Sequence, residues 1–558
     1  MQTLRTLLIL LLFGLHLFAT SAWGGNTVSV DQYNRATLNG EPFFPIGLYV
    51  VECTNGSYAN ELDEIGESPF NTLMNYAMHG CGSAATYHQI RDYLDELSAR
   101  DLYLIYSLKE YVSTCNDVYE VCDEPGPLPD DSINKITQKV TNHMDHDAVV
   151  AWYLNDETCP DCLEQLQDAY DLVKLYDPNH PVWSVHWNSN WLLQETHTTD
   201  IVGADSYPIP DNPITRVSNV VDHAMESEKP LWFVPQLFEW PNKRPPTKDE
   251  MRAMTYLAVN HGAKGLIYYS YFDIRNDVDY SERWVAIQDI ASEIRRLRHV
   301  FMSIDQANEA DTTCDRGAID FKLMRDGDSY YLFAVNTAAV AVDDVSFTIN
   351  LRKKPETVYE LFNENDSESV VDPVNGTFTS NFDPYGVRVF QWQNDTDLAA
   401  SATSDNIIGL SIRAVDPSDP DYDGTNKPKA FLYQPVDMEI EVEKPEQTAV
   451  IEIFLPNSAP SDYAWYKYSS GEWIDFSRNL ISNDMGDGAT FNEDRTRISL
   501  HITDNGPYDD NPTDRIILDP SGLGTMSSAS STNPATPTDD GGGGGGGGGG
   551  GCFVTSLD

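Results

Sequence analysis

Three observations predict an α/β chain built on a (β/α)8 TIM barrel, followed by a small antiparallel β-domain and a second, C-terminal β-rich domain. Eight short apolar runs lie between residues 40 and 300. Helical patterns alternate with them. Eight strand–helix units over about 250 residues are what such a barrel requires. The runs are Phe43–Val50, Asn71–Ala77, Leu102–Leu108, Val149–Leu154, Val182–Trp187, Ile201–Tyr207, Leu231–Phe238 and Gly265–Tyr271. Several are apolar almost throughout, as parallel strands covered on both faces should be. Between them, Tyr87–Ala99 places Ile90, Tyr93, Leu94 and Leu97 on one helical face, and Leu163–Tyr176 and Lys248–His261 behave alike. Thr247-Lys-Asp-Glu250 reads as a capping box opening the last of these. The segment between the fifth and sixth runs is short, which predicts an abbreviated helix. An open doubly wound sheet is the alternative. No GxGxxG follows an early strand, which weakens its nucleotide-binding version.

The pattern changes after the barrel, which is assigned residues 23–305. Ser329–Asn336, Val345–Leu351, Val358–Phe362 and Gly386–Trp392 alternate or run apolar between turn residues. They predict a small β-sandwich over 306–395. Residues 396–407 are small and polar and read as a linker. A β-rich unit over 408–524 includes Met438–Val442, Ala449–Leu455, Ala464–Tyr468 and Ile498–Ile502. Two acidic stretches flank it, Asp416–Asp423 and Asp504–Asp519. Clustered oxygens suit Ca²⁺, but no EF-hand loop is present, and solvated acidic loops are the preferred reading. Residues 525–558 hold a Ser/Thr/Pro spacer and the run Gly541–Gly551, which has no means of forming a core.

The chain has 558 residues with 36 Lys+Arg against 87 Asp+Glu, a formal charge of −51. Such a surface repels phosphate backbones and anionic lipid heads, so nucleic acid is not an expected partner. At 41% hydrophobic residues, a wholly disordered chain is excluded. Arg5 precedes the apolar run Leu7–Phe18, which is short for a membrane span. Thr20 and Ala22 suit cleavage after Ala22, so residues 1–22 read as a signal peptide and the mature chain as secreted or cell-surface, without a membrane span. Export allows cysteines to pair. Six of eight lie within 53–162. Cys115/Cys122 and Cys159/Cys162 are locally close, leaving Cys53/Cys81, although sequence alone does not fix the connectivity. Cys159-Pro-Asp-Cys162 also matches a redox motif or half a zinc site. No second CxxC completes four ligands, and a structural disulfide is preferred.

Functional groups of a barrel sit at the carboxyl ends of its strands. Asn155, Asp156 and Glu157 follow the fourth run, and Glu239 and Trp240 end the seventh. Two carboxyls facing one mouth suit retaining glycoside hydrolysis, in which one attacks the sugar and the other protonates the leaving oxygen. Asp205-Ser-Tyr207-Pro closes the sixth run, and Tyr207 is placed to donate to the nucleophile. His186 and Trp187 end the fifth, Lys109 and Glu110 the third, and Tyr269 the eighth. Asn155, Asp156, His186, Trp187, Tyr207, Trp240 and Tyr269 are the candidate sugar contacts, with Trp187, Trp191 and Trp240 as stacking platforms; a single tryptophan is more often core.

Residues 40–300 resemble the large clan of retaining glycoside hydrolases with (β/α)8 barrels. The resemblance is carried by Val149-Val-Ala-Trp-Tyr-Leu-Asn-Asp-Glu157, Leu231-Trp-Phe-Val-Pro-Gln-Leu-Phe-Glu239, Asp205-Ser-Tyr-Pro208 and His261-Gly-Ala-Lys-Gly-Leu-Ile-Tyr268. It implies that Glu157 is the acid/base and Glu239 the nucleophile. The clan usually has Asn directly before the acid/base, binding the sugar 2-hydroxyl. Here Asp156 stands there and Asn155 one further back. Residues 430–524, with Trp465-Tyr-Lys-Tyr468, Gly471-Glu-Trp473 and Ile502-Thr-Asp-Asn-Gly506, resemble the choice-of-anchor U domain of bacterial surface proteins. That implies attachment through the C-terminal region, with Cys552 as a processing or attachment point.

The expectation is therefore a secreted bacterial glycosidase acting on a β-linked oligo- or polysaccharide, with no cofactor and no metal. A non-catalytic carbohydrate-binding or adhesion protein is the alternative. A metal-dependent barrel hydrolase is a second rival: His79, His143, His146 and His186 are available, but form neither HxH nor HExxH. A purely structural surface role leaves the strand-end glutamates unexplained.

Overall fold

The computed structural model describes residues 25–526 apart from short stretches, the longest being 117–120, 363–369, 394–397 and 479–485. The signal-peptide segment 1–22 and the tail from 527 onward, with Cys552, lie outside the described residues.

Eight parallel strands close a barrel in chain order. They are β1 (Ile46–Val50), β2 (Thr72–Asn75), β3 (Tyr103–Ser107), β4 (Val149–Asp156), β5 (Val182–His186), β6 (Ile201–Ser206), β7 (Leu231–Pro235) and β8 (Leu266–Tyr268). Each lies within or across one of the eight apolar runs. A helix follows every strand: α1 (Ala59–Gly66), α2 (Tyr87–Ser98), α3 (Asp130–His143), α4 (Leu163–Tyr176), α5 (Ser189–Gln194), α6 (Arg216–Met225), α7 (Lys248–Asn260) and α8 (Tyr280–Met302). α5 is the abbreviated one. α2 buries the four expected residues, and α7 opens with the Thr247–Glu250 capping box. A second box, Thr86 with Gln89, opens α2.

The strands are apolar on both faces because each face meets a different core. Leu48, Leu104, Val202 and Phe233 join the layer between sheet and helices. Tyr49, Ile105, Trp183 and Trp232 fill the interior. The rings of Trp183 and Trp232 lie 5.9 Å apart. This bulk explains Gly203 on β6: a Cβ there would meet Val185 Cγ2 at 2.5 Å and Trp183 Nε1 at 2.8 Å.

Beyond the barrel, a three-stranded and a five-stranded antiparallel sheet share a core that includes Phe347, Phe378, Phe390 and Trp392. A further pair of antiparallel sheets encloses Ile440, Ile451, Trp465 and Leu500. The stretch read as a linker is part of this last unit. Ala399–Ala402 is a strand paired antiparallel with Ile451–Phe454. Its Ala399, Ala400 and Ala402 are buried rather than solvated. The unit is tied to the barrel through α8. Arg295 Nε donates to the Asp405 carbonyl at 2.8 Å, and Arg298 Nη2 lies 2.8 Å from Glu443 Oε1. The acidic residues of the Asp504–Asp519 stretch are used internally: Asp509 and Asp510 accept backbone N–H bonds, and Asp519 pairs with the buried Lys467 at 2.5 Å. Among the described residues, no group of three or more His, Cys, Asp or Glu is placed to hold a metal ion, and no helix is long and apolar enough to cross a membrane.

Cys53–Cys81 is bridged. The other two expected pairings are replaced, because Cys122 bonds Cys162. Cys115 and Cys122 face each other as register partners in a two-residue hairpin, and Cys159 is buried beside Cys122 and Cys162. The fold brings the hairpin onto the turn after β4, so sequence proximity misleads. Cys162 stands in a 3-10 turn leading into α4, where its sulfur meets the hairpin strand rather than Cys159.

Candidate active site

A cleft of about 820 Å³ opens at the carboxyl ends of the strands. Glu157 and Glu239 both line it, as do Asp156, Trp187, Tyr207, Trp240 and Tyr269. Of the candidate contacts, Asn155 and His186 are not on its wall.

Glu157 directly follows β4. Its φ is +60°, in the left-handed region that a residue with a Cβ occupies at a cost of about 1–2 kcal/mol. A hydrogen bond from its N–H to the Val185 carbonyl, 2.9 Å, holds that turn. Strain of this kind concentrates where a side chain must be aimed. The Glu157 carboxyl is held well above the usual carboxylate range, first by burial and then by the negative charge of nearby Asp205. Asp205, at the end of β6, is itself raised by burial, against a smaller lowering influence of Glu157 and Tyr207. Tyr207, expected to serve the nucleophile, lines the same cleft wall as Glu239 and Asp205.

Asp156 faces the cleft beside Glu157. It is ion-paired with Lys109 and accepts from Tyr153 Oη at 2.6 Å and Tyr76 Oη at 3.2 Å. Lys109 Nζ also sits 3.8 Å from the centre of the Tyr76 ring. The lysine balances what would otherwise be a third negative charge in the group. Asn155 is turned away: its Nδ2 donates to Glu195 Oε2 at 2.7 Å and lies 2.8 Å from His186 Nε2. His186 Nε2 is 2.8 Å from Glu195. These three form a buried polar cluster, and neither Asn155 nor His186 lines the cleft. A β-bulge is the cause. Trp183 pairs with Tyr153 and Ser184 with Asn155, leaving Leu154 as an extra residue in β4. The bulge exchanges the faces that Asn155 and Asp156 would have taken, a common device at the rim of barrels.

Glu239 is less regular. β7 ends at Pro235, and Gln236 bridges to Tyr269. Gln236 is buried and exchanges two 2.9 Å hydrogen bonds with the Ile209 backbone. Glu239 lies three residues farther on, exposed on the cleft rim. Trp240 and Trp187 are 40% and 43% exposed, which sets them apart from the buried core tryptophans. Trp240 is steadied by Phe238, 4.9 Å between centroids, and by an Nε1 bond to the Tyr207 carbonyl at 3.3 Å. Trp191 backs Trp187 at 5.9 Å and is not on the wall. Tyr269 packs against Tyr49 and Tyr207 at 5.1 and 5.8 Å.

The sequence reading missed Tyr49, Tyr76, Arg216 and Asp273 on the wall, and Asp205 on the same wall as Glu157. Asp205 lay inside the quoted sixth-strand motif. Gly203, Asp205 and Tyr207 share one strand phase, and that phase points into the barrel. The same count on β5 groups Trp183, Val185 and Trp187, and excludes His186.

No family profile matches the chain, and no curated protein matches it. Solved structures of similar fold include a glycoside hydrolase at 13% identity and TM-score 0.47, spanning 67% of this chain and 98% of the other. A glycoside hydrolase family 5 protein from Bacteroides vulgatus is similar at 12% and 0.45, spanning 66% and 94%. A β-galactosidase from Bacillus circulans sp. alkalophilus is similar at 9% and 0.47, spanning 62% and 99%. Likeness at this level says nothing about which bond the cleft acts on.

Proposed function

We propose that this protein is an exported glycosidase that hydrolyses O-glycosidic bonds of a β-linked oligo- or polysaccharide with retention, Glu157 acting as acid/base and Glu239 as nucleophile. The observation that carries the reading is a proton-holding carboxyl, Glu157, on the same cleft as a second glutamate and two exposed tryptophans. A general acid must arrive at the reaction with its proton in place, and burial beside Asp205 keeps it there at neutral pH. The aromatic faces of Trp187 and Trp240 suit the apolar faces of sugar rings. In the first step the Glu239 carboxylate bonds the anomeric carbon while the Glu157 proton passes to the departing oxygen. In the second, Glu157 takes a proton from water, which releases the sugar. Asp156 is placed to accept a ring hydroxyl. The disulfides and the apolar amino terminus support export, and the C-terminal β-unit supports attachment to a cell surface.

One observation favours a second mechanism. Glu239 is exposed and stands beyond the strand end, which suits a base that activates water in a single, inverting displacement.

The wall also bears on substrate charge. Among the described lining residues six are carboxyl-bearing and one, Arg216, is a cation. Uncharged glycans are the expected substrates, and polyuronates are expected to be excluded. A panel of aryl β-glycosides, neutral polysaccharides and polyuronates, incubated with the full chain, tests this. Turnover of at least one neutral substrate is expected. Sugar binding without cleavage across the panel would move the reading to a non-catalytic binding protein.

A further inference from the structure

We propose that Glu195 is a positioning residue for Glu157: from the end of α5 it clamps Asn155, and through Asn155 it fixes the left-handed turn that aims the Glu157 carboxyl into the cleft. The proposal rests on Glu157 being the acid/base.

A residue with a Cβ keeps a positive φ only where its surroundings hold it there. Glu157 has a φ of +60°. Its N–H is tied to the Val185 carbonyl of β5 at 2.9 Å. The next N–H, of Thr158, donates to Asn155 Oδ1 at 2.8 Å and closes the turn around Glu157 from within. That bond fixes which way the Asn155 amide faces. Its oxygen is taken, so Nδ2 faces Glu195 and donates to Oε2 at 2.7 Å. His186 Nε2 lies 2.8 Å from the same carboxylate oxygen and 2.8 Å from Asn155 Nδ2. A hydrogen on Nε2 lets that oxygen accept from both residues. Asn155, His186 and Glu195 are 0%, 1% and 2% exposed, so water does not compete for these bonds.

Glu195 is itself anchored. Its N–H reaches the Trp191 and Leu192 carbonyls at 3.2 and 3.1 Å, and its carbonyl accepts from the Thr198 N–H at 2.9 Å and from Thr198 Oγ1 at 2.8 Å. α5 also carries Trp191, which backs Trp187 at 5.9 Å. One short helix therefore braces both the turn of the acid and a tryptophan of the cleft wall. Glu195 does not line the cleft, and it acts on Glu157 only through Asn155. Alignment is where such a clamp is felt: a reacting group displaced by about 1 Å loses on the order of 10²-fold in rate.

Glu195→Asp, made in the full chain, tests this. It keeps the carboxylate and shortens its reach, so Asn155 and His186 are no longer met together. The ratio kcat/KM reads the first displacement. It is expected to fall about 10- to 100-fold for β-glycosides with alkyl or sugar leaving groups, and by less than about threefold for an activated aryl β-glycoside, whose phenolate leaves without a proton. Glu195→Gln keeps the length and an oxygen that accepts from Asn155, and is expected to recover most of the loss. Hydrogen exchange read by mass spectrometry on peptides covering 155–158 follows the turn itself. Exchange there is expected to be faster in Glu195→Asp and near the wild-type rate in Glu195→Gln. Equal losses on both substrate classes, or unchanged exchange in a folded Glu195→Asp, overturn the proposal. If Glu195→Asp does not fold, Asn155→Ser is read by the same two measurements: its hydroxyl still accepts from the Thr158 N–H but stops short of Glu195, and the same results support or overturn the proposal. The two claims fail separately. Faster exchange in a protein that turns over no glycoside keeps the clamp and removes the glycosidase. Turnover with unchanged exchange does the reverse.

Discussion

Glu157→Gln is expected to lower turnover of β-glycosides with alkyl or sugar leaving groups by about 10²- to 10⁴-fold, because their oxygen departs only with a proton. An activated aryl glycoside needs no such proton. With it, the first step is expected to survive and the second to stall, giving a burst of phenolate. Azide, which needs no base, is expected to restore steady turnover and yield the β-glycosyl azide. The basic limb of the pH profile should vanish with the carboxyl. Its position in the wild type follows from the sign of the shift. Burial and Asp205 raise the Glu157 midpoint, so activity persists through neutral pH and falls only as Glu157 loses its proton in alkali. Equal losses on both substrate classes would place Glu157 outside the proton transfer.

Glu239→Ala is expected to cost more, on the order of 10⁴- to 10⁶-fold, since no other group forms the covalent bond. Leaving-group activation should not relieve this loss. Azide entering the space left by the side chain is expected to give the α-glycosyl azide, of opposite configuration to that from Glu157→Gln. The side chain is exposed, so the variant should fold and melt as the wild type does. A variant that keeps a tenth or more of the activity would remove Glu239 from the chemistry, and Gln236 at the end of β7 would then mark a cleft without a nucleophile on that strand.

The barrel was legible because parallel strands buried on both faces leave long apolar runs, and all eight runs carry a barrel strand. The short α5 and the Thr247–Glu250 box were legible from chain length and local chemistry. What failed is what depends on direction. The place of Glu157 on the cleft wall was legible because it directly follows the strand. Asn155 was misplaced because a bulge at Leu154, silent in the sequence, shifts the phase of β4. His186 and Asp205 could have been sorted by counting alternate residues from the interior Trp183 and Gly203. The Cys122–Cys162 bridge depends on how a hairpin folds over the turn after β4, and spacing carries no trace of that. Ala399–Ala402 looked like a linker because short side chains are shared by flexible segments and by strands packed close to a neighbour.

The measurement that bears most directly on the paired-glutamate mechanism is proton NMR of the sugar first released from an aryl β-glycoside by the wild-type protein. Double displacement through Glu239 predicts the β-anomer at early times, followed by slow mutarotation. The α-anomer appearing first would contradict it, and would leave Glu239 as the base of a single displacement at water.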